Sequence, residues 1–175
     1  MAYQYVREPL TADEADALAN ECRTPEEKLI VWTLLDTGLR VSELCGLRSE
    51  NIAWQSRELR VKGKGGPHGK RSKQRAIPMS KRVRALLEPY FAYKNEWFIG
   101  ERQAQKLVKK IAERAKITRE VTPHVLRHTF ATLALQKGIS LAAVKKMLGH
   151  DRLSTTAIYL NLTDKHVVEE FEAKW

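Results

Sequence analysis

Long apolar runs are missing from this 175-residue sequence, so it has no stretch that would form a membrane-spanning helix. The opening residues, MAYQYVREPLTADEADAL, lack a basic stretch followed by an apolar one. No secretory signal is therefore expected, and the expected location is cytoplasmic. Cysteine is scarce: Cys22 and Cys45 form no metal-like cluster and suit free thiols in a reducing compartment. Repeats and low-complexity linkers are also missing, which favours one domain over residues 1–175. The most telling absence is of acid. No Asp or Glu lies between Glu58 and Glu88, whereas Lys62, Lys64, Lys70, Arg71, Lys73, Arg75 and Arg82 all fall there. Against 31 Lys+Arg the chain carries 21 Asp+Glu, a formal net charge of +10. Cations concentrated in this way lose their mutual repulsion against a polyanion, and phosphate backbones are the commonest one.

Helix signals are abundant. Thr11 with Glu14 makes a capping box for a helix over residues 11–22. TPEEKLIVWTLLDTG repeats the device with Thr24 as cap, Pro25 at the first helical position and Gly38 as terminator. A short helix over residues 40–47 follows. The texture then changes: NIAW, ELRVK and QRAIPM are short β-prone pieces, the last two joined by the Gly/Lys-rich stretch GKGGPHGKRSK. Helices resume over residues 80–93, 101–116, 122–137, 140–148, 154–162 and 164–174. The expected architecture is mainly α with a small three-stranded antiparallel β-sheet.

TPHVLRHTFATLALQKG carries the densest chemistry. Thr122 suits an N-cap and Pro123 the first helical residue. His124, Arg127, His128 and Ala131 share an arc of about 100° on a helix of 3.6 residues per turn. Leu126, Phe130 and Leu133 lie roughly opposite, so the helix is expected to present a packed back and a cationic front. Its first turns, with unpaired N–H groups and the positive end of the dipole, favour an anion such as phosphate. His124 and His128 have the spacing of a metal pair, but no third ligand is evident and no metal is assigned.

Other positions extend the pattern. DTGLRVSELCGL puts Arg40 directly after a helix-ending Gly-Leu, with Glu43 one turn further on. KMLGHDRLSTTAIYLNL puts His150 after Gly149 and Tyr159 nine residues later. Arg40 in TGLRVSEL, Lys64 in GKG, His124 and Arg127 in HVLRHTFAT, His150 in LGH and Tyr159 in TTAIY together resemble the catalytic domain of tyrosine recombinases. The phage-integrase and Xer-like enzymes belong to this group, and the resemblance covers residues 10–161.

That resemblance implies attack by the Tyr159 hydroxyl on a phosphodiester of double-stranded DNA, giving a 3′-phosphotyrosine and a free 5′-hydroxyl. Arg40 and Arg127 would clamp the non-bridging oxygens, and Lys64 would protonate the departing 5′-oxygen, with Lys62, Lys70 and Lys73 as rivals for that role. His124 and His150 would hydrogen-bond or shuttle protons around the phosphate. Glu43 would orient Arg40 or cap its helix. DNA contacts fall to Lys62, Lys70, Arg71, Lys73 and Arg75; His68, in the same stretch, is either another or has no role. No cofactor, metal or nucleotide is implied, since guanidinium groups supply the positive charge and the phosphotyrosine holds the bond energy. Members of the group usually carry a core-binding domain before the catalytic one, which is not seen here, and they self-associate on DNA up to tetramers. Residues 163–175, with Val167, Val168, Phe171 and Trp175 on one face, would either cover their own core or dock on a neighbouring protomer. Two alternatives are a type IB topoisomerase and a non-catalytic DNA-binding module.

Overall fold

The computed structural model describes residues 8–63 and 74–149. Seven helices and three strands follow in order: α1 (Ala12–Asn20), α2 (Pro25–Thr37), α3 (Val41–Cys45), β1 (Ile52–Ala53), β2 (Glu58–Lys62), β3 (Gln74–Pro78), α4 (Lys81–Tyr93), α5 (Glu101–Arg114), α6 (Pro123–Gln136) and α7 (Leu141–Leu148). A 3₁₀ turn, Ser49–Asn51, leads into β1. The mainly helical chain with one small antiparallel sheet is the architecture expected, with helix ends trimmed by a residue or two. The helices expected over 154–162 and 164–174 lie outside the described residues.

The middle of the molecule is α2. Thr24 accepts the Glu27 N–H at 3.2 Å to start it, and Leu29, Ile30, Val31, Leu34 and Leu35 are all buried. A helix apolar around most of its circumference needs neighbours on every side, and α1, α3, α4, α5 and α6 supply them. It ends at Gly38, whose φ of 62° is left-handed. A β-carbon there would fall on the Phe130 ring and within 2.9 Å of Leu148 Cδ2. Glycine thus lets the chain turn tightly under α6 and α7 and deliver Arg40.

The sheet is a meander in the order β1-β2-β3. Leu59 pairs with Ile77 and Val61 with Arg75. Leu59, Val61 and Ile77 are buried, so strand alternation places Arg75 on the same inward face.

The two-sided picture of α6 requires correction. Arg127 is 4% exposed and Ala131 0%, on the side expected to be open. This helix is enclosed by α2, α5 and α7, and the entering chain adds a bond from Leu10 N to Thr129 Oγ1 of 2.9 Å. Towards its start His124 is exposed and His128 half-buried, and at its far end Gln136 is exposed. Both cysteines are free thiols. Burial, then the Glu27 charge, pushes the Cys22 thiol up to about 12; burial, then Glu101, pushes Cys45 up to about 11.

Candidate active site

Four charged side chains converge here: Arg40 at the N-cap of α3, Glu43 within α3, Arg75 from β3 and Arg127 from α6. Glu43 is at the centre, its side chain 6% exposed. Its Oε1 accepts from Arg40 Nη1 at 3.0 Å and from Arg75 Nη1 at 2.8 Å. Its Oε2 accepts from the Arg40 backbone N–H at 2.8 Å and from Arg75 Nη2 at 2.8 Å. Burial works to raise the carboxyl pKa of Glu43, but the Arg75 hydrogen bonds, the Arg40 N–H and the two cationic charges prevail. The group is held below the usual carboxylate range and stays ionised at neutral pH.

Arg127 enters from α6. Its Nη1 donates to the Gly38 carbonyl at 2.6 Å and its Nη2 to the Leu148 carbonyl at 2.6 Å. These carbonyls end α2 and α7, where the helix dipoles are negative, so one guanidinium fastens two C-termini together. Burial, then the Arg40 charge, lowers the Arg127 pKa to about 10, with Glu43 opposing and Arg75 adding to the effect. Arg75 and Arg127 bind the consecutive Met147 and Leu148 carbonyls, and Glu43 joins Arg40 to Arg75, so the three guanidiniums share one electrostatic neighbourhood although they are far apart in the chain. At neutral pH Arg127 remains charged.

Arg75 is placed differently from its sequence reading. Among the cations assigned to DNA, it was expected to reach outward; its side chain is instead 7% exposed. Besides gripping Glu43, its Nε donates to the Met147 carbonyl at 2.7 Å. The period-2 pattern of QRAIP, with Ile77 inward, carried this information, but the charge run around Arg75 masked it. Lys62, by contrast, is exposed at the end of β2.

Arg40, its side chain 34% exposed, lines an open groove of about 590 Å³ together with Arg48, Arg60, Lys62 and Glu101. Its neighbour Val41 lines a second, of about 410 Å³, with Lys106, Lys109, Thr122 and His124. His124 Nε2 lies 2.9 Å from His128 Nε2, the rings nearly perpendicular at 82°. The surface around Arg40 is thus lined by Arg48, Arg60 and Lys62 interspersed with Glu50 and Glu101, and the half-exposed Arg40 offers a planar fork that can grip the oxygens of an anion. Lys64, His68, Lys70, Arg71, Lys73, His150 and Tyr159 lie outside the described residues.

A helical domain built around this cluster is the catalytic-domain fold of tyrosine recombinases. Residues 8–166 match the family model described as the phage integrase family, and the chain belongs to that family. It is 37% identical over 177 residues to tyrosine recombinase XerA of Pyrococcus horikoshii, covering 93% of this chain and 60% of that protein. To a tyrosine recombinase of Thermosipho africanus it is 35% identical over 176 residues, covering 94% of this chain and 59% of that one. The chain thus spans about three fifths of the length of these relatives. The crystal structure of XerA recombinase superposes with a TM-score of 0.80 at 26% identity, covering 99% of this chain and 65% of that one. The catalytic domain of bacteriophage HP1 integrase shares the fold, with a TM-score of 0.67 at 23% identity and 95% of each chain covered.

Proposed function

We propose that this chain is the catalytic domain of a site-specific DNA recombinase that cleaves and rejoins strands through a 3′-phosphotyrosine at Tyr159. The observation that carries the reading is the convergence of Arg40 and Arg127 on one charged cluster beside an open groove that Arg40, Arg48, Arg60 and Lys62 help to line. Tyr159 is the nucleophile. A phenol has a pKa of about 10, so its oxygen needs neighbours that accept or offset the proton. As it attacks, charge grows on the two non-bridging oxygens, and Arg40 and Arg127 meet that charge with donors fixed in advance. Removing one such donor costs on the order of 3 kcal/mol of barrier.

Lys64 protonates the departing 5′-oxygen, and His124 and His150 hydrogen-bond around the phosphate. Glu43 orients Arg40. Rejoining reverses the chemistry, with another strand's 5′-hydroxyl attacking the phosphotyrosine. Neither metal nor nucleotide enters the scheme, because guanidiniums offset the charge and the covalent linkage conserves the bond energy. Double-stranded DNA is the substrate, protomers associate on it, and the cytoplasm is the site of action.

Nicked suicide duplexes incubated with the chain test this reading on a denaturing gel. A covalent protein–DNA adduct in wild type, abolished in Tyr159→Phe, is the expected result. Adducts that persist in the variant, or none in wild type, overturn it.

A further inference from the structure

We propose that Arg75 is a positioning residue for strand cleavage: it ties Glu43, and through Glu43 the guanidinium of Arg40, to the C-terminal end of α7. The inference rests on the strand-cleavage reading and adds to it a residue that sequence alone assigned to DNA contact.

Arg75 commits three of its N–H groups inside the protein. Two grip the Glu43 carboxylate at 2.8 Å each, and the third donates to the Met147 carbonyl at 2.7 Å. The fork leaves little tolerance in the carboxylate's orientation, because a planar guanidinium matches a planar carboxylate along two parallel bonds. Glu43 then holds Arg40 at two points, the backbone N–H and Nη1. Without Arg75, the side chain of Glu43 would keep, among the described residues, its bonds to Arg40, the N-cap of the same short helix.

The other end of Arg75 is equally confined. Gly149 closes α7 with a φ of 67°, and a β-carbon there would lie 2.9 Å from Arg75 Cδ and 3.0 Å from Nε. Arg75 thus packs under the glycine that precedes His150. Met147 and Leu148, consecutive residues, give their carbonyls to Arg75 and Arg127 respectively. Arg40 and Arg127 are in this way referred to a single fixed point, the end of α7. A clamp on one phosphate needs that common reference, since misplacement by an ångström costs about a hundredfold in rate.

The test is a double-substitution cycle on the full chain: Arg75→Met, Glu43→Gln and both together. It reads the single-turnover rate of adduct formation at saturating protein, and separately the affinity for intact duplex. Arg75→Met is expected to slow the saturated rate about 100-fold, with affinity changed by less than about threefold, as for loss of a transition-state group. The double variant is expected to be no slower than the slower single one, because both changes break one linkage. If Arg75→Met does not fold by circular dichroism, Arg75→Lys takes its place, since it keeps the charge and loses the fork. An unimpaired saturated rate, a loss confined to affinity, or fully multiplicative losses in the double variant overturn the role of Arg75. Wild-type chain that forms no Tyr159-dependent adduct overturns the cleavage reading, and the role of Arg75 with it.

Discussion

A guanidinium that is 4% exposed and hydrogen-bonded to two helix-ending carbonyls has little freedom to search for a ligand. Arg127 is set in place by folding, which is what pre-organised charge stabilisation requires. The same demand falls on Gly38, whose carbonyl is one of the two acceptors. Gly38→Ala would force a side chain into a left-handed position and against Phe130, at a cost of about 2–5 kcal/mol. Urea denaturation of this variant should show the loss as a lower midpoint with an unchanged slope; an unchanged midpoint would mean the turn is softer than its contacts imply. Much at this scale was legible from types and spacing, since Arg40, Glu43 and Arg127 were all singled out. The burial of Arg127 was not. An arc drawn on one helix says where its residues point but not how many neighbours enclose it, and α6 is enclosed on nearly every side. Arg75 was misplaced for a related reason, because a run of cations outweighed the alternation that Ile77 announces.

At the scale of elements, capping signals carried the sequence far. Thr11, Thr24, Ser80, Thr122 and Ser140 each accept a backbone N–H at the start of their helices. Joins between helices are less visible, because their partners are distant in sequence. Glu27 in the first turn of α2 is the example: Arg114 at the end of α5 donates to it at 2.9 Å from Nη1 and 2.6 Å from Nη2. The Arg114 hydrogen bonds hold the Glu27 carboxyl below the usual carboxylate range; burial opposes them, and the Arg23 N–H and the Arg114 charge assist. Arg114→Met would strand this buried carboxylate and destabilise the domain by about 3–5 kcal/mol at neutral pH. A depressed acid contributes stability above its unfolded pKa and loses it as pH falls through the folded one. Wild type and Arg114→Met should therefore converge in melting temperature as pH drops below the ordinary value of 4.5. A gap that stays constant down through this range would show that the pair contributes packing alone.

Across the whole molecule the excess of cations is not spread evenly in role. Some line open grooves and others, equally charged on paper, build the interior of the site. Salt dependence of duplex affinity separates the two. Lys62→Ala should flatten the slope of log K against log salt by about 1, the share of one phosphate contact. Arg75→Met should leave that slope as in wild type, since a guanidinium bound to Glu43 and Met147 releases no counterion. Fluorescence anisotropy over a salt series measures both, and equal flattening by the two substitutions would return Arg75 to the DNA-facing set.

Among the described residues, the cluster gathers three arginines around one carboxylate, and the pKa of Arg127 is lowered first by burial and then by the Arg40 charge. Firmness of the fold and appetite for an anion are then opposing quantities in one place. A variant selected only for heat resistance would be drawn toward neutral side chains at this spot. It would gain degrees of melting temperature while losing the very tension that, on the proposed reading, a bound phosphate relieves.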